Sequence, residues 1–164
     1  MPVYYKIEPH NCINDILAGK LSFLKQNILS SRLQLITAAE AEIALPANSG
    51  FDEEDIFCAD GFALLISDAL YQRIRCFIEA RRESYCIIEH VRFIDEGRIY
   101  TYVLAAPDKP AEKALNGKIS AGSVGYLPLF RCGEEFFCTE EMAQQIMGYS
   151  PHGAEIINAE KNYQ

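Results

Sequence analysis

The stretch from Ile56 to Ile78 constrains the fold more than any other. Two runs of β-forming residues, Ile56-Phe57-Cys58-Ala59 and Phe62-Ala63-Leu64-Leu65-Ile66, flank Asp60-Gly61. Glycine at the second turn position supplies positive φ without strain, so the pair predicts a type I′ hairpin. Ser67 then stands as the N-cap of a helix, with Asp68 in the first turn, where negative charge suits the helix dipole. Leu70, Ile74, Phe77 and Ile78 fall at i, i+4, i+7 and i+8, an apolar stripe along one face. The spacing predicts a helix over 67–82 that packs into the main core through Leu70, Ile74 and Ile78, with Arg81 and Arg82 at its negative end.

The same plan recurs near the C-terminus. Leu129-Phe130-Arg131-Cys132 and Glu135-Phe136-Phe137-Cys138 flank a turn at Gly133-Glu134, and Thr139 caps a helix through Met142, Ile146 and Met147 with Glu140 and Glu141 in its first turn. Gly148 is the expected stop. Setting Ser67 against Thr139 aligns Leu65 with Phe137, Ile66 with Cys138, Leu70 with Met142 and Ile74 with Ile146. Each copy runs on into a strand, Cys86-Ile87-Ile88 in one and Glu155-Ile156-Ile157 in the other. Residues 55–93 and 128–159 therefore read as a hairpin, capped helix and strand used twice, although so common a unit needs no shared ancestry. Without a regular βαβ alternation, the order points to an α+β fold with a mixed or antiparallel sheet and packed helices.

Between the copies, residues 85–93 form a strand that turns at Asp95-Glu96-Gly97 into Arg98–Leu104. Pro107 and Pro110 end that strand in a polar connection, 106–118, expected to be mobile. Gly122-Ser123-Val124-Gly125 is glycine-rich but lacks the lysine and the following helix of a phosphate-binding loop, so it reads as a loop. In the first third, Ile13, Ile16 and Leu17 have helical spacing interrupted by Gly19. Leu33 and Leu35 alternate like a strand, the Ala-Glu-rich stretch 38–44 prefers helix, and 46–50 is a loop.

At 164 residues the chain is long enough for a single domain, 1–164, with its own core. Fifteen basic and 23 acidic residues leave a net charge of −8, which argues against nucleic acid as a partner, since phosphate contact favours clustered Lys and Arg. No run approaches the ~20 apolar residues of a membrane span. The opening Met1-Pro2-Val3-Tyr4-Tyr5-Lys6 has no secretory pattern, so a cytoplasmic address is expected and the six cysteines are expected to stay reduced. Cys58, Cys86 and Cys138 sit among apolar neighbours and read as small core side chains. There is no C-x2-C or H-x3-H, and the histidines at 10, 90 and 152 are scattered, so no metal site and no cofactor are expected.

No catalytic motif of the hydrolase, P-loop or zincin type occurs. Cys86 and His90 lie four residues apart on one expected strand face, ~13 Å along it, too far for a nucleophile–base pair. The acidic tetrad Asp52-Glu53-Glu54-Asp55 lacks the order of a calcium loop and reads as solvated charge or an electrostatic contact surface.

The segments Asp55-Ile56-Phe57, Leu65-Ile66-Ser67-Asp68-Ala69-Leu70, Arg98–Leu104, Glu135–Met142 and Gly153-Ala154-Glu155-Ile156 together resemble immunity proteins of bacterial polymorphic and type VI secretion toxin systems. The resemblance covers residues 55–160 and rests on structural motifs. It implies a cytosolic, non-enzymatic protein that binds and neutralises a cognate toxin domain, and it carries over no active-site residues. Asp52, Glu53, Glu54 and Asp55, with Glu134 and Glu135 at the second hairpin tip, are then the expected contacts, because clustered loop carboxylates steer a basic partner. The alternative is a small enzyme or ligand-binding domain using His90, Glu89 or Tyr100. A subunit of a larger assembly, including a homo-oligomer, also fits the sequence.

Overall fold

The computed structural model describes residues 3–13, 41–44, 53–59, 61–95 and 97–160. Its architecture is α+β, built on two sheets. In chain order the strands are β1 (Tyr4–Pro9), β2 (Cys12–Ile13), β3 (Ala41–Ala44), β4 (Ile56–Ala59) and β5 (Ala63–Ser67). Helix α1 (Asp68–Glu79) and a 3-10 turn (Arg82–Ser84) lead to β6 (Tyr85–Asp95) and β7 (Arg98–Pro107). Then follow α2 (Ala121–Val124), β8 (Leu129–Cys132), β9 (Glu135–Thr139), α3 (Glu140–Tyr149) and β10 (Ala154–Asn158). One sheet has the order β10-β1-β9-β8; the other has β2-β4-β5-β7-β6-β3.

The two capped helices form as their sequences predict. The Ser67 hydroxyl accepts from the Leu70 N–H at 3.4 Å, and the Thr139 hydroxyl accepts from the Met142 N–H at the same distance, satisfying one orphan donor in each first turn. Leu70, Ile74 and Ile78 of α1 and Met142 and Ile146 of α3 are buried in one core with the inward faces of both sheets, among them Ile7, Ile66, Val103 and Phe136. A second core lies on the other face of the larger sheet, around Leu65, Ile88, Phe93 and Leu104. A third, on the other face of the smaller sheet, holds Tyr4, Phe130 and Phe137 under Ala111, Ile119 and Val124.

Several local expectations are corrected. Ala59 pairs with Ala63, so the first hairpin has three residues between its strands rather than the two of a type I′ turn, with Gly61 at φ +75°. The second and third hairpins close over two residues, Asp95 opposite Arg98 and Cys132 opposite Glu135. Helix α1 ends at Glu79, and Arg82 lies in the 3-10 turn, where it meets Glu79 at 3.3 Å. Helix α3 runs through Gly148 and stops at Ser150, whose left-handed backbone (φ 60°) turns its N–H back to Ile146 and Met147. Residues 121–124 form one helical turn, not a loop. The 106–118 connection is held down by the buried Ala111, whose N–H bonds the Arg131 carbonyl at 2.6 Å. Ala41–Ala44 is a strand paired parallel to β6 instead of helix, and Ile13 lies in a strand. Ile16, Leu17, Gly19, Leu33, Leu35 and the 46–50 loop lie outside the described residues.

The two halves share a topology. In the larger sheet β4, β5 and β6 are arranged with β7 between β5 and β6; in the smaller, β8, β9 and β10 are arranged with β1 between β9 and β10. All of these neighbours are antiparallel. Leu65 and Phe137 both face away from the central core, and Ile66 and Cys138 both face into it. This equivalence is a property of the fold and does not by itself establish a duplication.

Candidate functional site

The acidic stretch divides sharply. Asp52 lies outside the described residues, and Glu53 is exposed. Glu54 is buried: its Oε1 accepts from Asn11 Nδ2 at 2.6 Å, its backbone carbonyl accepts from the Tyr102 hydroxyl at 2.5 Å, and its Oε2 has no hydrogen-bond partner among the described residues. Asp55 ties three elements together. Its Oδ1 accepts from the Ser67 hydroxyl at 2.7 Å and the Tyr149 hydroxyl at 3.2 Å, and its Oδ2 accepts from the His152 N–H at 2.8 Å. Glu54 and Asp55 thus bond inward, joining the larger sheet to the α3–β10 turn. That differs from the solvated loop expected of four consecutive carboxylates.

The second hairpin tip does reach the surface. Glu134 and Glu135 are exposed, and the Glu134 carboxylate lies against Gly61 at the tip of the β4–β5 hairpin. Glu135 meets Lys6 Nζ at 3.7 Å. The ladder adds two carboxylates that the sequence reading missed. Glu8 of β1 lies directly opposite Glu155 of β10, on the face of the smaller sheet that also carries Lys6, Glu135 and Ile157. Like charges directly opposed across an antiparallel pair are destabilising. His10 Nε2 approaches Glu155 Oε1 at 4.0 Å. The signal was the alternation in Lys6-Ile7-Glu8, just before the bend at His10.

Cys86 and His90 do not share a face. Ile88 pairs with Leu104 and Val91 with Tyr102, so β6 takes three steps where β7 takes two. This bulge, with His90 in the left-handed region at φ 63°, reverses the alternation: Cys86 and Ile88 face the same core as Val91 and Phe93. Burial pushes the Cys86 thiol up to about 12. Glu89 and His90 instead line a small cavity of about 110 Å³ against α1, with Asp68, Tyr71, Gln72, Arg75 and Val103. The Tyr71 hydroxyl, without a partner among the described residues, is pushed up to about 12, first by burial and then by Glu79 and Glu89. Arg75 bridges Glu79 at 3.0 Å and Glu89 at 3.8 Å.

A second buried charge, Arg131, donates an Nη1–H hydrogen bond to the Gly133 carbonyl at 2.8 Å, and burial lowers its pKa. Among the described residues no cluster of three or more His, Cys, Asp or Glu is placed to hold a metal ion. Nor, among them, is any helix long and apolar enough to cross a membrane. No family model matches this chain, and no curated protein matches it.

Proposed function

We propose that this chain is a toxin-neutralising binding protein of the immunity type, which docks a basic toxin domain on the negatively charged face of β10, β1 and β9. The observation that carries the reading is the direct opposition of Glu8 and Glu155 on an exposed sheet face, beside Glu135. Such a pair costs fold stability, and a surface on which carboxylates outnumber Lys6 repays that cost by steering an oppositely charged partner. The net charge of −8 works in the same direction at long range. Glu134 and Glu53 extend the contact as exposed carboxylates. Glu54 and Asp55 serve it only by holding the two sheets together.

The test is co-expression with a toxin domain encoded beside this chain, reading cell survival and co-purification. The wild type is expected to protect and to form a stoichiometric complex. The Glu8→Gln/Glu155→Gln variant, which removes the opposed charges, is expected to melt at or above the wild-type temperature, gaining up to about 1 kcal/mol. It should associate at least tenfold more slowly, with a weaker dependence on salt. A wild type that neither protects nor co-purifies would reject the immunity reading. An unchanged association rate in the variant would reject this docking face alone. A second reading, a polar small-molecule site, is favoured by the cavity at the β6 bulge, where the Tyr71 hydroxyl has no partner among the described residues.

A further inference from the structure

We propose that Cys12 and Cys58 are a reversible thiol–disulfide pair, oxidised by a low-molecular-weight disulfide. The two residues are register partners in the parallel β2–β4 ladder. Neighbouring strands stand ~4.8 Å apart, within the ~4.4–6.8 Å Cα separation that a disulfide accepts. Register partners also project their side chains to the same side, and the two thiols lie within hydrogen-bond reach of each other. The segment before them is fastened at two points: the His10 N–H bonds the Gly153 carbonyl at 2.7 Å, and the Asn11 carbonyl accepts the Cys58 N–H at 3.2 Å.

The pair is asymmetric in a way that orders the chemistry. Cys12 is exposed and Cys58 is buried. Cys12 is therefore the sulfur a reagent reaches first. Its thiol loses a proton to solvent, and its sulfur attacks one sulfur of the reagent. The Cys12–reagent bond forms, the reagent's S–S bond breaks, and the first thiolate leaves and is protonated. Cys58 then loses its proton, its sulfur attacks Cys12 Sγ, and the second reagent thiolate leaves and is protonated. Two protein thiols are oxidised by two electrons in total, and one reagent disulfide becomes two thiols.

Burial first, and then the contact with Cys12, push the Cys58 thiol up to about 12, while the Gly61 N–H pulls it back. The second step is therefore the slow one near neutral pH, and it quickens as the pH rises. The product joins β2 covalently to β4 and encloses residues 13–57 in a loop. Cys76, exposed on α1, is the internal control, because it has no cysteine as a ladder partner.

The experiment uses the full chain, fully reduced and then incubated with glutathione disulfide, followed by alkylation, intact mass and peptide mapping. The expected product is two hydrogens lighter in the protein chain, apart from any glutathione carried on Cys76. A 12–58 cross-linked peptide accompanies it, and dithiothreitol reverses it. In Cys76→Ser, alkylatable thiols should fall from five to three, one fewer at each end than the six-thiol wild type would give by the 12–58 bond alone. Cys58→Ser should hold a lasting glutathione adduct on Cys12, and Cys12→Ser, altered only at an exposed position, should yield no cross-link. A stable adduct on Cys12 of the wild type would overturn the proposal. So would a cross-link in Cys12→Ser formed as fast as in the wild type. The pair is independent of the partner reading, since none of these measurements involves a toxin.

Discussion

Gly153 shows how one residue can carry a junction. Its φ of +86° lies in the left-handed region, and a Cβ built there would stand 2.3 Å from Glu54 Oε2 and 2.6 Å from Glu54 Cβ. The turn after α3 is thus pressed onto a buried carboxylate that accepts from Asn11, and the Gly153 carbonyl accepts from the N–H of His10, the residue before Asn11. Gly97 has a similar φ of +82° with nothing within 4 Å of its Cβ position. Gly97→Ala should cost only the backbone term, about 1–2 kcal/mol, whereas Gly153→Ala must also move Glu54 or the turn. Chemical denaturation should give a loss for Gly153→Ala at least twice that for Gly97→Ala. Equal losses would show that the Glu54 contact relaxes freely. This junction was not legible in the sequence: consecutive carboxylates look alike, and only their neighbours distinguish the bound Glu54 and Asp55 from the exposed Glu53.

At the scale of elements, the two capped helices are the best-specified parts of the chain, because hydroxyl cap, acidic first turn and apolar stripe agree with one another. Their stripes meet the same central core, with Ile74 of α1 only 1% exposed. Ile74→Asp buries a charge with no cation beside it, a change that costs several kcal/mol. The variant is expected to be unfolded or aggregated by circular dichroism and gel filtration at the temperature where the wild type is native. A soluble variant with unchanged melting would place a different face of α1 in the core. Where propensity and pairing disagree, pairing prevails: Ala41–Ala44 has a helix-forming composition yet extends beside β6, where a partner strand supplies its backbone hydrogen bonds. The β6 bulge is a similar case. Glu89-His90 carries neither glycine nor proline, so nothing in the sequence marks the place where the alternation reverses.

For the whole molecule, the question is what holds two sheets as one body. Besides the shared core and the Asp55 junction, the Tyr85 hydroxyl spans them. Tyr85 of β6 donates to the Leu129 carbonyl at 2.6 Å and accepts from the Leu129 N–H at 3.0 Å, fully buried. Tyr85→Phe keeps the ring and strands both backbone groups, so it should cost about 2–4 kcal/mol in a urea melt. A loss below about 1 kcal/mol would mean that water reaches Leu129. The sequence by itself determined the hairpins after Ile56, both caps and the apolar faces of both helices, with Met147 as the exception at 41% exposed, since each is written within about twenty consecutive residues. The order of these elements determined the α+β class. Tertiary structure alone decided that Tyr4–Pro9 would run between β9 and β10, from the far end of the chain, and that Glu8 would face Glu155. It also brought Cys12 beside Cys58, 46 positions apart. The reason is physical: caps, turns and periodicity act between residues a few positions apart, whereas strand register is set by whichever distant edge offers its hydrogen bonds and buries the matching apolar face.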